Sequence, residues 1–179
     1  MKKFLLLSLL FATSTAFADT YTIDSDHSSV EFKVRHLGIS NVTGSFLKFT
    51  GEFTYNPEKI EESKTDATIE TASVNTRQSK RDEHLRSPDF FNVEKNPSIT
   101  FKSKKVENIK EESFDVVGDL TLNGVTKEVV LNVETEGLGK NMQGKEVAAF
   151  NATTKINRKD FGVTWSKTLD TGAIVVGDD

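Results

Sequence analysis

The sequence of 179 residues contains no cysteine, three prolines and a single tryptophan. Without cysteine the chain can form no disulfide, no thiolate nucleophile and no zinc–thiolate centre. Lysine and arginine number 23 against 27 aspartate and glutamate residues, so the basic excess typical of nucleic-acid-binding proteins is also lacking. We therefore expect no nucleic-acid partner, and we expect an apolar core to hold the fold by itself.

Apolar runs of membrane-spanning length are missing too. The run FLLLSLLF at residues 4–11 is far shorter than the roughly 20 residues that a spanning helix needs. Two lysines precede this run, and AFA at residues 16–18 satisfies the small-x-small rule for signal cleavage. The N-terminus therefore predicts a cleaved export signal over residues 1–18 and one mature domain over residues 19–179, without a membrane span.

Alternation of apolar and polar residues is the dominant pattern. In VEFKVRH, for example, Val30, Phe32 and Val34 alternate with charged residues, which predicts a half-buried strand. The alternation slips near Leu47 and Lys48, where we predict a β-bulge. The predicted strands lie at residues 28–36, 41–55, 67–74, 98–107, 113–122, 129–133, 146–157 and 172–176.

This arrangement favours an all-β fold, either an up-and-down barrel or a sandwich. A barrel of about eight strands has room for packed side chains or for one small ligand. The exception to the strand pattern is the polar connection at residues 75–97. We predict a short helix in its first half, ended by Pro88.

Motifs for chemistry are sparse. His27, His36 and His84 have no zinc-binding spacing, and the chain has neither a G-x-S-x-G element nor a phosphate-binding glycine loop. We therefore predict no metal site, no cofactor and no catalytic residue.

The segment RDEHLRSPDFF at residues 81–91 allows three interpretations. It could be an acid–base cluster in which His84 and Asp89 form the reacting pair. It could be a charged, solvated helix face. It could also border a ligand site, where arginines meet an anionic head group and Phe90 and Phe91 touch an apolar tail.

Four segments resemble one known family. YTIDSDHSSVEFKVRHLGISNVTGSFLKFTGEF (21–53) and NTRQSKRDEHLRSPDFFNVEKNPSITFKS (75–103) are similar to the N-terminal and central signatures of the YceI-like family of periplasmic, lipocalin-like proteins. GDLTLNGVTKEVVLNV (118–133) and INRKDFGVTW (156–165) are similar to its later signatures.

This resemblance implies an antiparallel, eight-stranded, lipocalin-like β-barrel with a short helical insertion and a long apolar pocket. It implies periplasmic binding or transport of a long-chain amphiphile, such as a polyisoprenoid, an isoprenoid quinone or a fatty amide, and it implies no reaction. In the family the chain continues past VGDD into a further strand, so we expect the closing strand to be missing from a sequence that stops at Asp179.

Inward apolar side chains of such a barrel would hold the tail of the ligand. We predict this pocket to comprise Phe32, Val34, Phe46, Phe53, Ile69, Phe90, Phe91, Phe101, Leu120, Leu122 and Trp165. For the head group we predict His36, Arg81 and Arg86. Two alternatives stay open: a structural or stress-responsive envelope protein with a packed core, and an enzyme acting on a lipid-linked substrate. A homodimer is compatible with the sequence.

Overall fold

A computed structural model describes residues 19–170 and 172–179. The predicted export signal lies outside these residues. The strands are β1 (Asp19–Thr22), β2 (Val30–His36), β3 (Ser40–Phe46), β4 (Phe49–Tyr55), β5 (Lys64–Glu70), β6 (Val74–Asn75), β7 (Ser98–Glu107), β8 (Ser113–Leu122), β9 (Val125–Lys140) and β10 (Glu146–Thr153). One α-helix, α1 (Ser79–Arg86), and 3₁₀ turns at Ile60–Glu62, Thr71–Ser73 and Arg158–Phe161 complete the described elements.

All strand pairings are antiparallel, and they follow the chain around the molecule. Seven strands pair in the order β1-β4-β5-β7-β8-β9-β10, and three more pair in the order β2-β3-β6. The two groups of strands join into one sheet at β3 and β4, which are separated by only two residues. Their respective partners, β6 and β5, are also consecutive in the chain and run antiparallel to them. The antiparallel barrel that the family resemblance implies is thereby confirmed.

The predicted bulge at Leu47 and Lys48 is where this long strand bends. Phe46 pairs with Val74 and Phe49 pairs with Ile69, so the two sides of the ladder advance by different numbers of residues. Leu47 is 61% exposed although it is apolar, because the slip turns it outward. The predicted strands at 41–55 and 67–74 are each divided in two by this bend. The structure also contains β1, which was not predicted, and lacks a strand at 172–176, so it has ten strand segments where eight strands were predicted.

A tight turn joins β8 to β9. Asn123 and Gly124 have φ angles of 50° and 74°. A two-residue type I′ turn matches the twist of the two strands and needs a positive φ angle at both central residues. Asparagine and glycine adopt such angles with little strain. The resulting hairpin pairs Leu122 with Val125 and continues to Ser113 and Glu134.

The C-terminal segment is less regular than predicted. Instead of a strand over 172–176, single bridges join Thr168 to Ile174 and His36 to Val176. The Gly177 amide donates to the Arg35 carbonyl at 2.8 Å, so the segment lies against the end of β2. This contact places the C-terminal segment against β2 and nearly closes the barrel.

Two apolar clusters occupy the two ends of the barrel. One contains Val74, Phe90, Leu122 and Phe161 and lies under α1. The other is built from side chains at the opposite strand ends, Tyr55, Phe101, Phe114, Val116 and Val133. In the described ranges we find no helix long and apolar enough to cross a membrane.

Candidate functional site

An open cavity of about 2470 Å³ extends from the inside of the barrel past the ends of β9 and β10, where the exposed Met142 borders it. Strand alternation builds part of its wall, as on β5. Thr65, Ala67 and Ile69 line the cavity, whereas their neighbours Asp66 and Thr68 face solvent. The side chains that a pleated strand directs to one face thus form a continuous inner surface.

The structure places every predicted apolar pocket residue on this wall. These residues are Phe32, Val34, Phe46, Phe53, Ile69, Phe90, Phe91, Phe101, Leu120, Leu122 and Trp165. Their positions settle which strand face is inward on β8, where Leu120 and Leu122 share the cavity face with Val116. Contact between these side chains and a lipid stays a prediction.

Aromatic rings gather where α1 meets the barrel. The ring centroid of Trp165 lies 5.2 Å from that of Phe90 and 5.1 Å from that of His84. Phe91 packs on Phe46, with centroids 5.8 Å apart. Pro88 ends the helix, and the chain then turns inward so that Phe90 is 7% exposed. Phe90 and Phe91 therefore lie at the edge of the cavity, and their contact with a ligand tail stays a prediction.

A second aromatic group lies towards the other end of the cavity and was only partly predicted. Phe150 on β10 meets the rings of Phe53 and Tyr55 edge-on, at 4.8 and 5.1 Å between centroids. Phe150 and Tyr21 also line the cavity. Phe150 shares one face of β10 with Ala148 and Ala152. This spacing could have indicated an inward face, but two alanines make the hydrophobic signal weak.

The two predicted head-group arginines are both engaged with protein atoms. Arg81 donates through Nε to Thr76 Oγ1 at 2.7 Å and through Nη2 to the Thr76 carbonyl at 2.9 Å, and it lines the cavity. Arg86 donates through Nε to the Ala72 carbonyl at 2.8 Å and through Nη2 to the Val74 carbonyl at 2.9 Å. Arg86 is not among the cavity-lining residues. Arg86 therefore links α1 to the 3₁₀ turn Thr71–Ser73 and to β6.

The histidines have three different surroundings. His36 lines the cavity, and its Nδ1 lies 2.9 Å from the Val175 carbonyl oxygen. His84 also lines the cavity, with Nε2 2.8 Å from Asp89 Oδ2. The sequence left open whether His84 and Asp89 meet, and the structure brings them into direct hydrogen-bond contact.

His27 forms an exposed pair with Asp24 in the loop after β1, where both residues border the cavity. Its Nδ1 lies 2.8 Å from Asp24 Oδ2. This hydrogen bond raises the pKa of His27 and lowers the pKa of Asp24, because the charged forms stabilise each other. Across residues 19–170 and 172–179, no three histidine or carboxylate side chains converge as a metal site would require.

Sequence comparison connects the chain to named proteins. A family model described as the YceI-like domain matches residues 21–179. Protein YceI of Salmonella arizonae is 44% identical over 163 residues, which cover 90% of this chain and 85% of the relative. A UPF0312 protein of Azotobacter vinelandii is 42% identical over 158 residues, which cover 87% of this chain and 82% of the relative.

Solved structures show the same architecture. The Campylobacter jejuni YCEI protein is 40% identical, with a TM-score of 0.67 over 87% of this chain and 92% of that protein. A polyisoprenoid binding domain from Saccharophagus degradans is 15% identical and shares the fold, with a TM-score of 0.56 over 90% of this chain and 92% of that domain. From its family match, its relatives and its barrel, the chain belongs to the YceI-like family.

Proposed function

We propose that this protein binds a long-chain amphiphilic lipid in the barrel cavity and carries it through the periplasm. The observation that supports this most strongly is the cavity itself, about 2470 Å³ in volume and lined by side chains from almost every strand. Ligand cavities in proteins are usually apolar enclosures with a few polar groups. Here the apolar wall ends in a cluster of aromatic rings with His84 beside them.

The energetics favour a ligand with a long tail. Transfer of one methylene from water into an apolar site is worth about 0.8 kcal/mol, so a tail of about 20 carbons gains roughly 16 kcal/mol before costs. Loss of ligand freedom and ordering of the tail offset much of this gain. Useful affinity therefore needs no finely placed polar contact, and the head group must provide most of the selectivity.

The chemical class we propose is an isoprenoid or another long-chain lipid, which includes isoprenoid quinones and fatty amides. The Saccharophagus degradans domain with the same fold is described as polyisoprenoid-binding, which makes prenyl chains the natural first probes. The periplasmic location rests on the export signal predicted over residues 1–18. Fractionation of cells, followed by mass measurement of the recovered protein, tests this location.

A tail-length series tests lipid binding. Each added isoprene unit contributes roughly 4 kcal/mol gross, of which ordering removes a large part, so affinity should rise by about tenfold per unit from ten to twenty carbons. Titration of the purified protein with geraniol, farnesol and geranylgeraniol measures this slope. An affinity that does not depend on tail length would contradict the proposal.

Two alternatives are less well supported. An envelope protein with a purely structural role would be expected to have a barrel packed with its own side chains, and the cavity argues against this. An enzyme acting on a lipid-linked substrate draws its support from the 2.8 Å contact between His84 and Asp89. If a His84→Ala, Asp89→Ala double variant turned over such a substrate at the unchanged rate, that pair would have no catalytic role.

A further inference from the structure

His84 is a polar side chain set into the aromatic end of the cavity. Its ring meets Phe90 and Trp165 edge-on, with interplanar angles of 85° and 87° and centroids 5.0 and 5.1 Å away. Its third neighbour is Asp89, whose Oδ2 lies 2.8 Å from Nε2. Two rings and a carboxylate therefore fix the orientation of the imidazole.

In this orientation, Nδ1 is the ring nitrogen of His84 that Asp89 does not contact. Within the described ranges, the hydrogen bonds of His84 include no partner for Nδ1, although the side chain is 40% exposed and lines the cavity. Arg81, which lines the cavity from the same helix, already donates through Nε and Nη2 to Thr76. A ligand that approaches His84 Nδ1 therefore displaces no hydrogen bond that the described residues make with this atom.

Asp89 determines which hydrogen-bond role is left to Nδ1. A carboxylate accepts only, so the proton of a neutral imidazole is held on Nε2. Nδ1 then carries the lone pair and accepts a hydrogen bond. A partner for such an atom must have a polar hydrogen, as alcohols, quinols and primary amides do. Ethers, esters and oxidised quinones lack one.

We propose that His84, positioned by Asp89, accepts a hydrogen bond from the lipid head group and so selects neutral heads that carry an O–H or N–H group. This rests on the proposed lipid-binding function and narrows it, because the apolar wall alone does not distinguish an alcohol from its ether. The selective element is one atom, His84 Nδ1, at the end of the cavity where Trp165 lies.

A matched ligand pair tests the head-group preference. Geranylgeraniol and geranylgeranyl methyl ether have the same tail, but the ether lacks the donor hydrogen. One hydrogen bond from a buried head is worth about 1–1.5 kcal/mol, which corresponds to roughly tenfold in affinity. Fluorescence of Trp165, the only tryptophan in the sequence, reports binding at this end of the cavity, and calorimetry gives the affinities.

The variants isolate His84. In His84→Phe the alcohol-to-ether ratio should fall to about one, since the hydrogen-bond acceptor is gone while the ring packing is kept. Asp89→Ala keeps the imidazole but frees its proton to move to Nδ1, so the ether should gain affinity and the ratio should fall as well. Glu83→Gln, on the exposed face of the same helix, should keep the wild-type ratio.

Each outcome has a distinct meaning. Failure of the wild-type protein to bind either ligand would contradict the lipid-binding function. Tight binding of both with equal affinity would overturn the head-group inference and leave lipid binding intact. A preference for geranylgeranyl phosphate over the alcohol would also overturn it, because it would show that the site selects an anion. These comparisons use the wild-type protein and hold even if a variant fails to fold.

Discussion

Asp82 accepts two hydrogen bonds from Thr76, one from the backbone amide at 2.8 Å and one from the side-chain hydroxyl at 2.5 Å. Both residues are buried, with 7% and 4% of their surfaces exposed. The pair ties the first turn of α1 to the loop that enters the helix. Arg81 adds a second tie, since it donates to the same threonine.

Replacement of Asp82 by alanine should destabilise the fold. The change leaves the buried amide and hydroxyl of Thr76 without their acceptor, which costs about 2–3 kcal/mol of unfolding free energy. Urea denaturation followed by circular dichroism measures this loss. Glu83→Ala, at the exposed neighbouring position, should change the unfolding free energy by less than about 0.5 kcal/mol. Equal effects of the two substitutions would contradict the role of Asp82.

Gly118 on β8 lies where another strand and an aromatic ring come very close. A methyl group built there would approach the Lys102 carbonyl oxygen and the Phe101 ring to 2.5 Å. The backbone oxygen cannot move without disturbing the ladder, so Gly118→Ala should lower the unfolding free energy by about 2 kcal/mol or more. Gly139→Ala on β9, where nothing lies within 4 Å, is the control. Equal melting temperatures of the two variants would contradict this steric account.

Arg86 should matter for stability and little for ligand choice. Arg86→Met removes two donors from the carbonyls of Ala72 and Val74, and the unfolding free energy should fall by about 2 kcal/mol. Because Arg86 does not line the cavity, the affinity ratio of an anionic to a neutral lipid should not change. A change in that ratio, measured by calorimetry on folded protein, would support the head-group role predicted from the sequence.

His27 should titrate above its ordinary range because of Asp24. A group whose pKa is raised on folding stabilises the protein below its unfolded pKa, and this contribution is lost as the pH rises through the folded pKa. Both side chains are exposed, so the effect on stability should be small. Proton NMR of the His27 ring should show a pKa above 6.5 that falls in Asp24→Asn. An identical titration in both proteins would contradict the pairing.

Local patterns predicted most of the strands, because burial on one face imposes a two-residue period that the sequence displays directly, but this period did not distinguish a barrel from a sandwich. The bend at Leu47 and Lys48, the turn at Asn123 and the helix before Pro88 all follow from adjacent residues. The contact of the C-terminal segment with β2 joins residues about 140 positions apart, so no local pattern indicates it.

In the candidate site, too, features set by local sequence were predictable and contacts between distant residues were not. Its apolar wall was predictable, since inward strand positions repeat. The uses of the polar groups were not, because hydrogen-bond partners depend on three-dimensional approach. Arg86 binds backbone carbonyls of the preceding segment, and His84 meets Trp165, which is 81 residues away in sequence.

The cavity should be blocked by a larger inward residue. Ala67 lines the cavity, so the larger side chain of Ala67→Phe should occupy space that the lipid tail would fill. If two tail methylenes are displaced, binding should weaken by about 1.6 kcal/mol, which is more than tenfold in affinity. Thr68→Phe introduces the same ring on the outer face of β5 and should leave affinity unchanged. Equal geranylgeraniol affinities of the two variants would place the lipid outside the barrel.

Organic extraction of the full-length protein purified from the bacterial envelope, followed by mass spectrometry, tests lipid binding most directly. The account predicts that an isoprenoid or another long-chain lipid accompanies the wild-type protein and Thr68→Phe in stoichiometric amount and is depleted from Ala67→Phe. Absence of lipid from the wild-type protein, together with no uptake of geranylgeraniol by the extracted and refolded chain, would contradict it.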